Sequence, residues 1–120
     1  MQDNLLKLNV DCVTPETLEL GLYSTSKNNT ADLDLCAVCA LEKQLIDIMS
    51  EYKSRLPECI IVSLKPVRFI DSEGLFFCMQ MHTLFQEKRS RLVFSDVHSD
   101  VLRIFKMTRL DQKIMMVSVV

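Results

Sequence analysis

The stretch from Ile60 to Phe85 constrains this chain most, because the apolar pattern changes period inside it. Ile60-Ile61-Val62 is a β-branched run, and Val67-Arg68-Phe69-Ile70 is a second short one. Asp71-Ser72-Glu73-Gly74 then breaks the pattern before an amphipathic segment begins. The reading is a strand, a tight junction and the start of a helix. At such a start Asp or Ser accepts bonds from the first free backbone N–H groups, and Glu73 suits the positive end of the helix dipole.

The chain before this stretch reads as a hairpin followed by a helix. Leu6 to Cys12 alternates apolar and polar residues, the period of a strand with one buried face. Thr14-Pro15-Glu16 turns the chain and Leu18 to Leu22 resumes the alternation, so the first two strands form an antiparallel hairpin at the sheet edge. Lysine, aspartate and glutamate on its outer face keep that edge soluble. Ser24 to Asn29 is the most polar stretch and reads as a surface loop. Asn29 or Thr30 is placed to cap the next helix, with Asp32 and Asp34 in its first turns. Its apolar stripe is Leu33, Cys36, Ala37, Ala40, Leu41, Leu45, Ile48, Met49 and Tyr52, and Glu42, Lys43, Asp47, Glu51 and Lys53 fall away from it. After Pro57, Cys59-Ile60-Ile61-Val62 is apolar enough for a parallel strand covered by helices, which makes a right-handed βαβ crossover.

Beyond the junction, Leu75, Cys78 or Met79, His82 and Phe85 form the stripe expected to face the sheet, while Gln80, Thr83, Gln86 and Glu87 face water. His82 lies on that stripe with no Cys or Asp partner nearby in sequence, so a semi-buried core histidine is preferred over a ligand or base. Leu92-Val93-Phe94 is the next strand and Ser95 to His98 the loop after it. Ser99 is the expected N-cap of a last helix that buries Val101, Leu102, Phe105 and Met107. Ile114 to Val120 reads as a final strand.

Composition narrows the function. A chain of 120 residues fits one domain, residues 1–120, and can bury a core without metal or disulfide staples. With 48% hydrophobic and 25% charged residues it is expected to fold. A formal net charge of −2 offers no basic footprint for nucleic acid. Met1 to Asn4 carry no basic leader and no apolar run reaches membrane-spanning length, so a cytoplasmic protein without membrane insertion is expected. An odd set of 5 cysteines points to free thiols in a reducing compartment. Cys36-Ala37-Val38-Cys39 has the spacing of a redox pair or half a zinc site, but no second pair completes a tetrahedral set, and packing on a helix face is the preferred reading. No phosphate-binding loop, hydrolase triad or metal cluster is visible. No enzyme activity, cofactor or metal is expected.

Phe69-Ile70-Asp71-Ser72-Glu73-Gly74-Leu75 resembles the F-x-D-S-x-G-L motif of STAS domains, the fold of bacterial anti-sigma-factor antagonists. Arg91 to Val97 followed by Ser99 to Leu110 resembles that family's fourth strand and third helix. The resemblance implies an α/β fold with a single STAS domain, a mixed β-sheet of about five strands, an N-terminal antiparallel hairpin and about three packed helices. It implies phosphorylation on Ser72, a GHKL-type anti-sigma serine kinase as partner and a PP2C-type phosphatase that resets the switch. The implied partner surface comprises Asp71, Ser72, Glu73 and Gly74, with Ser24, Thr25 and Asp96. Two departures stand out. Tyr23-Ser24-Thr25 replaces a short Gly-x-Leu-Asp type connection, and Arg109 stands where the family has a glycine at the end of the last helix. If the chain still turns there with positive φ, the cost is about 1 kcal/mol.

Other readings remain open at this point. Ser72 could be only the helix cap, or the domain could be a non-switching adaptor of a lipid-transport ATPase or a stressosome-like scaffold. A redox or ligand-binding module using Cys36 and Cys39 is the third class. Phe76 lies about 100° from the core stripe, which puts its ring at the surface as a partner anchor unless it folds over Phe77.

Overall fold

The computed structural model of the chain describes residues 6–52 and 55–118. Lys53, expected on the polar side of the first helix, and Val119 and Val120, expected in the last strand, lie outside the described residues. Strands β1 (Leu6–Val13) and β2 (Thr17–Ser24) form the expected antiparallel hairpin, and β4 (Cys59–Ser63), β6 (Arg91–Val97) and β7 (Met115–Ser118) follow in parallel to give the order β1-β2-β4-β6-β7. A mixed five-stranded sheet with three helices is therefore observed: α1 (Leu35–Met49), α2 (Ser72–Glu87) and α3 (Ser99–Met107). A small second sheet pairs β3 (Ala31–Leu33) with β5 (Val67–Ile70) in parallel.

Strand alternation explains how the sheet is covered. Leu18, Leu20 and Leu22 of β2, Ile60 and Val62 of β4, and Leu92 and Phe94 of β6 are buried on one face under the helices. The opposite face carries Glu19, Ile61, Val93 and Met115 in cross-strand register. Of these, Glu19 and Met115 are exposed, Ile61 is half-buried and only Val93 is buried. Phe85, Phe94 and Phe105 are fully buried, and the rings of Phe94 and Phe105 stack 5.8 Å apart, joining α3 to β6. Burying each such ring is worth about 1.5–3 kcal/mol.

Several boundaries differ from the sequence reading, each for a local reason. The chain expected to begin α1 at Asn29 or Thr30 instead extends as β3, held by the Ala31 N–H donating to the Pro66 carbonyl. Asp34 then caps α1, its Oδ1 accepting from the Ala37 N–H at 3.0 Å. Helix α3 begins at Ser99 rather than being capped by it. His98 occupies the cap position, and its ring is engaged elsewhere, with Nε2 3.0 Å from the Lys65 carbonyl and Nδ1 3.2 Å from Arg68 Nη1. Strand β6 runs through Val97, taking in residues expected as loop. Of the four apolar residues assigned to the buried side of α3, Val101 and Phe105 are buried, Leu102 is half-buried and Met107 is exposed.

The most instructive difference is in α2. Its buried face is Gly74, Phe77, Cys78, Met81 and Phe85, whereas Leu75 and His82 are half-buried and Met79 is exposed. Gly74 sets this rotation. A Cβ built on it would lie 2.3 Å from the Leu33 carbonyl oxygen and 2.6 Å from Ile70 Cγ1, so the first turn of α2 rests directly on backbone of β3. The φ of Gly74 is not positive, and close approach alone requires the glycine. Gly74→Ala is expected to destabilise the fold by about 1–3 kcal/mol, read as a lower denaturation midpoint in urea with an unchanged slope.

Candidate functional site

Strand β5 delivers the chain to α2 through Asp71, whose backbone is extended at φ −97° and ψ −174°. Asp71 Oδ1 accepts from the Gly74 N–H at 2.9 Å, and the Asp71 carbonyl accepts from the Leu75 N–H at 2.9 Å. The Asp71 N–H donates to the Leu33 carbonyl, tying the cap to β3. Capping is therefore done by Asp71, not by Ser72. Ser72 is the first helical residue, it is exposed, and among the described residues its hydroxyl makes no hydrogen bond. Glu73 is exposed in the first turn beside it.

Ser72 opens onto a cleft of about 520 Å³ between α2 and the turn after α3. Leu75, Phe76 and Met79 line it from α2, and Arg109, Leu110 and Lys113 line it from the other side. Phe76 is 59% exposed, so its ring stands at the surface as expected. Arg109 adopts φ 60° and ψ 20°, so the chain keeps the left-handed turn that a glycine would favour. Leu110, 3% exposed, anchors the single 3-10 turn Leu110–Gln112 beside it.

Ser24, Thr25 and Asp96 are placed elsewhere. Ser24 ends β2, Ser63 ends β4 and Asp96 lies near the end of β6, so these residues meet at the carboxyl ends of the parallel strands. Ser24, Ser63, Lys65 and Asp96 line a second cavity of about 500 Å³. Asp96 turns with φ 55°, a conformation that Asp tolerates, and its Oδ2 accepts from Ser63 Oγ at 2.7 Å. The loop from Ser24 to Thr30 is tied internally. Ser24 Oγ donates to the Thr30 carbonyl at 2.9 Å, and the Ser26 hydroxyl accepts from the Thr30 N–H at 3.1 Å. Thr25 is exposed within it. In the same cavity the Tyr23 hydroxyl donates to Asp11 Oδ1, and that bond holds the phenol above its usual pKa.

The site residues read from the sequence thus fall into two groups, Ser72 with Phe76 and Ser24 with Asp96. Lys113, Leu110 and Ser63 were not foreseen as site residues. Arg109 alone carried a signal, since a large cation stands in a turn that favours glycine.

The cysteines divide by burial. Cys36 is half-buried and Cys39 exposed, so the second of the pair does not pack as the helix-face reading required. Among the described residues no group of three or more His, Cys, Asp or Glu side chains is placed to hold a metal. Cys78 is fully buried, and burial pushes its thiol pKa far up.

A family model for the STAS domain matches residues 9–120, and the chain belongs to that family. Comparison with curated proteins returns no significant match. Among the described residues no helix is long and apolar enough to cross a membrane.

The thiol arrangement gives a direct check on the packing around the site. In native alkylation with iodoacetamide, Cys12 and Cys39 are expected to react readily and Cys78 only after denaturation. Mass spectrometry of the digested protein reads the outcome.

Proposed function

We propose that this STAS-domain protein is an anti-sigma-factor antagonist that works by partner switching. The observation that supports this most is the spare hydroxyl of Ser72, exposed at the start of α2 while Asp71 does the capping. A side chain with no role in holding the fold can be modified without disturbing it. In the proposed cycle the unphosphorylated form binds an anti-sigma serine kinase of the GHKL type in the cytoplasm and so frees the sigma factor. The kinase then transfers the γ-phosphoryl group of ATP to Ser72. An Oγ–P bond forms, the bond from the γ-phosphorus to the bridging oxygen breaks, ADP leaves and the hydroxyl proton passes to a base of the kinase. A PP2C-type phosphatase hydrolyses the ester and resets the cycle. The antagonist acts as binder and substrate, not as enzyme, and uses no cofactor of its own.

Electrostatics supplies the direction of the switch. Phosphorylation adds about −1.5 to −2 charge between Asp71 and Glu73. A partner packed over this helix end would have to desolvate the dianion, which is costly without a matching cation. Ser72→Ala is therefore expected to bind the kinase constitutively and Ser72→Asp to bind about 100-fold more weakly, equivalent to roughly 2.7 kcal/mol, with both folded. Calorimetry that finds equal affinities for wild type and both variants removes the switch. Capture of an ABC ATPase by the wild-type chain, with Ser72 never modified by candidate kinases and ATP, would favour the adaptor role.

Phe76 is proposed as the apolar anchor of the same surface, because its ring is exposed beside the regulatory hydroxyl in a cleft floored by Leu75 and Leu110. Phe76→Ala is expected to lower partner affinity by about 1–3 kcal/mol with an almost unchanged melting temperature. A variant that melts much earlier yet binds normally assigns the ring to the core.

A further inference from the structure

Ser72 shares its cleft with two cations that have no charge partner among the described residues. Arg109 and Lys113 are both exposed, and the ion pair found among the described residues, Arg103 with Asp100, involves neither of them. No side-chain hydrogen bond engages either residue among those described. Their backbones are nevertheless held. The Gln112 N–H donates to the Arg109 carbonyl at 3.2 Å, the Lys113 N–H donates to the Leu110 carbonyl at 3.0 Å, and buried Leu110 fixes the turn between them.

We infer that Arg109 and Lys113 form a binding site for the phosphate carried on Ser72 of the same chain. The inference rests on the reading of Ser72 as a phosphorylation site and adds what the phosphate does once formed. Arg offers a planar fork of donors and Lys a mobile point charge, a combination suited to the oxygens of a phosphate monoester. The unmodified hydroxyl is too short and carries no charge to hold them. In the phosphorylated chain the ester bridges the cleft from α2 to the turn after α3, over Phe76 and Leu75. Phosphorylation then acts twice: it adds charge where the partner must pack, and it closes the cleft that would receive the partner. Because the partner would occupy the same cleft, it must displace the ester from the two cations in order to bind, so their contacts favour the free phosphorylated form over the complex, which is the differential effect a switch requires.

The test places phosphoserine at position 72 by genetic encoding, so that it does not depend on any kinase recognising the chain. The second pKa of the phosphate, near 6 when unperturbed, is followed by ³¹P NMR in low salt. Nearby cations favour the dianion and lower this pKa, whereas Asp71 and Glu73 raise it. The comparison is with the same chain carrying Arg109→Gly and Lys113→Gln. The first change suits a left-handed turn and the second is at an exposed position, so both leave the fold intact, and melting curves of the unphosphorylated chains check this. The expected result is a pKa lower by about 0.5 unit or more in the chain with both cations, with the difference shrinking as salt is raised. A smaller difference in low salt overturns the inference. Failure of candidate kinases to modify Ser72 counts against the partner-switching reading instead, and the titration result stands apart from it.

Discussion

The contact between Gly74 and the Leu33 carbonyl governs the working end of this molecule. With no Cβ in the way, the first turn of α2 settles on the backbone of β3, and Asp71 bonds to the same strand through its N–H. That seating fixes the helix rotation, which turns Phe77, Cys78 and Met81 inward and leaves Ser72, Phe76 and Met79 facing out. The small β3–β5 sheet is thus the platform on which the junction is built.

Division of labour between adjacent residues follows from the same geometry. Asp71, in extended conformation, satisfies the Gly74 N–H, and Ser72, already helical, cannot do so. A hydroxyl relieved of structural duty is available for chemistry. Glu73, exposed in the first turn, suits the positive end of the helix.

Much of this architecture was legible in the residues, and the failures share a cause. The hairpin, the parallel strands and the position of α2 followed from period-2 alternation, a proline turn and the Asp-Ser-Glu-Gly break. What failed depended on contacts between distant segments. Ala31–Leu33 looks like the lead-in to a helix until it meets β5, because a three-residue strand has no periodicity to read. The stripe of α2 was misplaced by about one position because nothing in its own sequence shows that Gly74 must touch Leu33. Ser99 lost the cap to His98 because the imidazole bridges to Lys65 and Arg68, residues far away in sequence. At the site, Ser72 and Phe76 could be picked out from motif and helical phase, but Lys113 could not. Its place opposite Ser72 is set by the burial of Leu110 and Ile114, which are distant from Ser72 in sequence.

Arg109 shows how a local cost and a surface property combine. A left-handed residue with a side chain costs about 1–2 kcal/mol, and a glycine would relieve it. The turn is held all the same, because Leu110 and Ile114 are buried on either side of Lys113 and closing the turn completes the core beneath β7. The burial of two aliphatic side chains, about 1.5–3 kcal/mol each, exceeds that strain. The consequence is a guanidinium at the rim of the Ser72 cleft, on backbone that cannot easily drift away. A cation on a mobile loop would spread its charge over many positions and influence a neighbouring anion weakly. One whose backbone is held by core packing starts from a defined place, so that the left-handed turn and the Ser72 hydroxyl line the same cleft.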